Sequence, residues 1–161
     1  MKTLTLFITV LLNALATGFF FAWSVSVILG TKKTGDLTYL ETMQSINKEI
    51  LNPAFFIVFF GSLITLLITS YTQFYDKPVF WLIFISAITY LIGTFSITAF
   101  GNVPLNNQLE ALSLEKLTLS QLKNFRNYYE TRWNVYHTIR TIASMVSFIL
   151  LLVAIFIKKQ F

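Results

Sequence analysis

From Thr3 to Thr31 the chain carries no ionisable side chain, and Lys2 and Lys32 bracket the gap. A helix over such a run is long enough to cross the roughly 30 Å hydrocarbon core of a bilayer. Further uncharged runs end at Tyr75, Leu109 and Ile157. With 55% hydrophobic and 17% aromatic residues, a water-soluble domain of 161 residues could not keep its apolar surface dry. The runs predict an all-α, four-helix transmembrane bundle in one domain, with spans at about 4–29, 54–73, 79–100 and 137–157. Amphipathic loop helices are expected to cover one mouth.

Each span has a recognisable inward face. Asn13, Thr17, Phe20 and Ser24 fall on one stripe of the first, and Gly61, Thr65 and Thr69 form a close-packing seam on the second. Ser86, Thr89, Gly93 and Ser96 are the small face of the third. After Gly30 and the Lys32-Lys33 pair, Asp36 is placed to cap an amphipathic helix whose stripe is Leu37, Leu40, Met43, Ile46 and Ile50. Asn52-Pro53 breaks the chain and starts the second span. The stretch Gly101–Asn107, with Pro104 inside it, is expected to end the third helix as a loop. Ser120 is expected to cap the last helix, which runs to Lys158 and is about twice as long as the hydrocarbon is thick. Its first half therefore projects from the membrane, and Lys158-Lys159 anchor its far end.

Functional residues concentrate where that helix enters the apolar zone. Trp133, His137, Arg140 and Ser144 share one face, with Tyr129 and Tyr136 beside it. An ionisable residue there is costly unless it is paired or faces a cavity. His137 and Arg140 are therefore site candidates, the alternative being an arginine that snorkels to headgroups and a packed histidine. The chain has no cysteine and one histidine, so disulfides, thiolate chemistry and bis-histidine haem within one chain are excluded. It lacks the glycine-rich phosphate loop, HExxH and nucleophile-elbow patterns. The net charge of +5 fits anionic lipid and topology signals, and no basic-aromatic soluble face points to nucleic acid.

Several segments together carry a resemblance: Gly18-Phe19-Phe20-Phe21-Ala22-Trp23-Ser24, Met43-Gln44-Ser45-Ile46-Asn47 leading to Asn52-Pro53, Asn102-Val103-Pro104-Leu105-Asn106, and Trp133 with Arg140-Thr141. In this order they resemble a family of small four-helix membrane proteins whose best-known members are the fungal anthrone oxygenases. The resemblance implies oxidation of an anthrone by molecular oxygen without a metal, flavin or other cofactor. For that chemistry His137 is the one side chain whose ordinary pKa suits a base near neutrality. Arg140 with Asn102 or Asn106 is expected to hold the oxyanion, Trp23 and Trp133 to wall a planar ring, and Tyr136 to join them in binding the substrate. Three readings follow: a cofactor-independent oxygenase of a lipophilic aromatic, a non-catalytic binder of a lipid or quinone, and a structural or accessory subunit. The expected partners are membrane lipid and a hydrophobic small molecule.

Four spans put both termini and the Asp76-Lys77-Pro78 turn on one side, and the short segments with Lys2, Lys77, Lys158 and Lys159 lean that side to the cytoplasm of a bacterial inner membrane. In labelling of intact cells, cysteines introduced as Lys2→Cys, Asp76→Cys and Gln160→Cys should share one accessibility. A position-76 label on the opposite face from the other two would break the span count.

Overall fold

The computed structural model describes residues 2–158, with only the backbone of Lys2; the expected anchor Lys159 lies outside the described residues. Helix α1 runs Thr3–Thr31, α2 Asp36–Glu49, α3 Pro53–Thr72, α4 Lys77–Glu110 and α5 Leu119–Lys158. All but α2 are long and apolar enough to cross a membrane, and there is no strand among the described residues. In the bundle α5 packs on α4 and α1, while α3 closes the ring between α1 and α4. The outward faces carry exposed Phe7, Leu11, Ile64, Ile85 and Ile142, apolar surface suited to contact with lipid.

Polar side chains stitch the interior, because hydrocarbon offers them no other partner. Ser86 and Ser147 each donate to the other's carbonyl, at 2.7 and 2.9 Å. The seam expected on the second span faces α1: Thr9 bonds the Thr69 hydroxyl at 2.7 Å and the Thr65 carbonyl at 3.2 Å. On the inner face of α1, Thr17 donates to the Ser144 carbonyl of α5.

The third span departs from expectation. Gly101–Asn107 does not end it; the helix continues through that stretch to Glu110. Two π-helical segments, Tyr90–Ser96 and Thr98–Asn102, make the continuation possible. Pro104 lacks an N–H and its ring crowds the preceding turn, and the widened turns just before it absorb both defects. They also rotate the buried face. Ser96 turns back to the Leu91 carbonyl of its own helix, and Thr94, Thr98 and Asn102 become the inner row.

At 34 and 40 residues, α4 and α5 are about 51 and 60 Å long, well beyond the hydrocarbon thickness. Their projecting ends pack with α2 into a second core, built on Tyr39, Leu40, Met43, Leu109, Leu122 and Tyr129. Tyr39 replaces Leu37 in the buried stripe of α2, and Leu37 is exposed. Burial first, then the Glu130 carboxylate and Tyr129, hold the Tyr39 phenol above its ordinary pKa.

Arg126 ties this roof to the bundle. It donates to Glu130 at 2.8 Å, Asp36 at 3.0 Å and the carbonyls of Thr34 and Lys32, and its guanidinium lies 4.5 Å from the Tyr39 ring centre. Asp36 is therefore not a cap: Gly35 occupies that position and the carboxylate is committed to Arg126. Nor does Ser120 cap α5, since Thr118, two residues earlier, forms a reciprocal capping box with Gln121. Asn52 caps α3 as expected, accepting from the Phe55 N–H with Pro53 in the first turn.

At Gly93 a Cβ would collide with the Cβ of Ala143, so α4 and α5 touch there backbone to backbone. Gly93→Ala should cost about 2 kcal/mol of stability, and adding Ala143→Gly should restore most of it. Thermal unfolding in detergent checks both; an unaffected Gly93→Ala protein would deny the close contact.

Candidate functional site

Successive turns of α5 bury Tyr129, Trp133, His137 and Arg140 in one column under the roof. Arg140 is 7% exposed and points inward, which rules out snorkelling. Its guanidinium sits 4.9 Å from the ring centres of both Phe20 and Trp133. Among the described residues no carboxylate lies within ion-pair distance; the salt bridges there belong to Arg126 and to Lys48 with Glu110. Its polar partner is His137 instead. Nε and Nη2 reach the imidazole Nδ1 at 3.2 and 3.0 Å.

This geometry assigns the tautomer of His137. Arginine only donates, so Nδ1 must present its lone pair and the ring proton sits on Nε2. Ser24 Oγ lies 2.8 Å from Nε2 and donates its own proton to the Phe20 carbonyl, leaving a lone pair free for the Nε2–H. Thr141 Oγ1 stands 3.3 Å from Nε2 and donates to the His137 carbonyl. Trp133 stacks flat on the imidazole at 5.1 Å and 7°. His137 is fully buried and does not line the cavity.

The cavity beside Arg140 has a volume of about 280 Å³. Trp23, Asn102, Asn106, Trp133 and Arg140, all expected at the site, lie on its wall. Trp23 and Trp133 meet at 5.7 Å between ring centres. Asn106 Oδ1 accepts from Tyr129 Oη and Trp133 Nε1, both at 3.0 Å, and Asn47 Nδ2 reaches the same Tyr129 oxygen at 3.2 Å. With both lone pairs of Oδ1 engaged, the Asn106 amide is held in one orientation, and its NH2 has no acceptor among the described residues. Asn102 donates to the Trp133 carbonyl at 3.2 Å, and its own buried Oδ1 has no partner.

The expected site residues do not all bond one another, nor do they all line the cavity. Neither asparagine bonds His137 or Arg140: Asn102 turns its NH2 to the Trp133 carbonyl and Asn106 its oxygen to Trp133 and Tyr129. Tyr136 does not line the cavity; its ring packs against Gly101, where a Cβ would come within 2.9 Å of Cγ. Phe19, Phe20, Phe55 and the α2 residues Ile46 and Asn47 also line the wall, and none was singled out as a site residue from sequence. For Phe20 a signal existed, since it lies on the inward stripe of α1. Asn47 sits in a segment that carried the family resemblance.

Comparison with known proteins fits this arrangement to a family. The family model for anthrone oxygenase matches residues 51–150, which takes in α3, α4 and α5 through both asparagines, Trp133, His137 and Arg140. No curated protein and no solved structure matches the chain. With more than half of its length matched, and with four apolar helices of membrane-crossing length, this chain belongs to the anthrone oxygenase family of integral membrane proteins.

Proposed function

We propose that the protein binds a lipophilic aromatic molecule that forms an oxyanion, with Arg140 holding that oxygen, and oxidises it with molecular oxygen in the manner the family's name describes. The observation that carries this reading is a buried guanidinium at a cavity wall with rings on either side and, among the described residues, no carboxylate within ion-pair distance of it. An unpaired buried charge is strongly destabilising, so an anion arriving with the ligand finds a site already charged for it.

For an anthrone, loss of the benzylic proton to water gives an enolate whose negative oxygen rests on Arg140. Bond formation between the enolate carbon and O2, followed by protonation, gives a hydroperoxide. Loss of the remaining C–H proton, with cleavage of the O–O bond, leaves a second carbonyl and releases water. One anthrone and one O2 become one anthraquinone and one water. The carbon gives up four electrons and O2 accepts them. His137 serves as a positioning residue, because its one lone pair is already given to Arg140.

A second reading, binding of a quinone or lipid without chemistry, is favoured by the lack of a free base on the wall. Among the described residues Glu110 is the one carboxylate lining the cavity, and it is paired to Lys48 at 2.9 Å. In either reading the protein is placed in a bacterial inner membrane with cytoplasmic termini, on the short-segment lysines alone.

Oxygen uptake by purified protein given an anthrone separates the readings. Arg140→Gln should lower the rate by about a hundredfold while thermal unfolding shows a folded protein. A wild-type protein that binds the anthrone without consuming oxygen is a binder, and full turnover by Arg140→Gln ends the oxyanion role. His137→Gln keeps a carbonyl acceptor for Arg140 and should stay within about tenfold of wild type with an unchanged pH profile, whereas His137→Leu should fall about a hundredfold. Equal loss in both variants would instead make the imidazole itself the base.

A further inference from the structure

A second hollow opens on the lipid-facing side between α1 and α3, with a volume of about 510 Å³. Apart from Asn52 its walls are small or apolar, including Ala14, Gly18, Ala54 and Val58, and the α1 residue Leu15 at its edge is half exposed toward lipid. It shares Phe19, Phe20, Ile50 and Phe55 with the Arg140 cavity, so the two hollows meet at these side chains. The Phe19 and Phe55 rings stand 5.9 Å apart, centre to centre, at that junction. At Gly18 a Cβ would meet nothing within 4 Å, so the groove is open beside the backbone there.

We propose that this groove takes the single aliphatic chain of an amphiphile whose oxyanion-forming aromatic head lies against Arg140, and that the head enters the cavity sideways from the bilayer between Phe19 and Phe55. The proposal rests on the Arg140 reading above and names the ligand class for it: a phenol, quinol or anthrone bearing one aliphatic chain.

Two considerations favour this occupant. The head cavity alone falls just under the roughly 300 Å³ lower bound of small-molecule sites, and only with the groove does the site reach the middle of that range. From Trp23 beside the head to Ala14 at the far end of the groove, α1 descends about 13 Å, which runs a chain along the helix toward the bilayer interior. The α2 roof is pinned above the head cavity: Arg126 fastens its start, Gln44 donates to the Leu109 and Leu112 carbonyls at 2.9 and 3.1 Å, and the exposed Lys48–Glu110 ion pair stands at the rim on the water side. A molecule with this much apolar surface is concentrated in lipid, on the side where the groove opens.

The test uses 2-naphthol and 6-decyl-2-naphthol, titrated into the full chain in one detergent and followed by quenching of tryptophan fluorescence. Gly18→Leu and Ala54→Phe fill the groove from opposite walls without touching Arg140. Each should weaken 6-decyl-2-naphthol by at least about tenfold, the worth of roughly two buried methylenes, and leave 2-naphthol unchanged. Because each probe is compared with itself across variants, its partition into micelles cancels. If both variants bind both probes as the wild type does, the groove proposal fails while the Arg140 reading stands. If 2-naphthol does not bind the wild type but the decyl probe binds and is weakened, the groove stands and the Arg140 reading fails. If neither probe binds, both fall. Phospholipid that co-purifies with the wild type, is lost in Gly18→Leu and is not displaced by the decyl probe would make the groove an ordinary lipid seat and overturn the proposal.

Discussion

Helices longer than the bilayer is thick shape everything above the membrane in this protein. Lipid requires α4 and α5 to be helical within the hydrocarbon, and nothing requires them to stop at its edge. Both continue, and their projecting ends make a scaffold on which α2 can bury Tyr39, Leu40 and Met43. The result is two cores in one chain. One lies at membrane depth around Leu66, Ile83, Tyr90 and Leu151, the other in the roof around Leu109 and Tyr129. The cavity occupies the seam between them, where the roof residues Ile46 and Asn47 face the bundle residues Phe20 and Arg140.

The seam is also where charge is handled without acids. Arg126, 8% exposed in the roof, takes two carboxylates and two backbone carbonyls. Two turns of α5 closer to Arg140 the acids run out, and Arg140 is held by one imidazole lone pair and two aromatic faces. Aromatic faces attract a cation without neutralising it. The two arginines thus have opposite dispositions on one helix, one saturated and structural, the other positioned and electrostatically open.

The asparagines make that openness orderly. Asn106 locks Trp133 and Tyr129 through one oxygen, and Trp133 in turn stacks on His137, which orients Arg140. A chain of contacts therefore runs from α4 to the guanidinium across two rings. Ser24 fixes the other nitrogen of the imidazole from α1. The membrane spans α1, α4 and α5 all contribute to the position of one charge.

Much of this was legible in the residue order. Uncharged runs are read directly as spans, because the cost of burying charge in lipid leaves no other use for them, and the Trp133, His137, Arg140 face follows from helical periodicity alone. The Asn52-Pro53 start of α3 is local chemistry and was equally plain. Other features had no local signal. A π-turn adds a residue per turn without any composition of its own, so the continuation of α4 through Gly101 and Pro104, and the rotation that brings Asn102 inward, were not in the pattern. Asp36 looked like a cap because its partner Arg126 lies far along the chain. His137 looked like a free base because titration range is a property of the residue, whereas access to its lone pair is decided by Arg140, Ser24 and Trp133 around it. Sequence alone determines which segments must enter lipid, since transfer free energy sums along the chain; which polar atom ends against which was decided only by tertiary structure, because those bonds join helices that the chain itself keeps far apart.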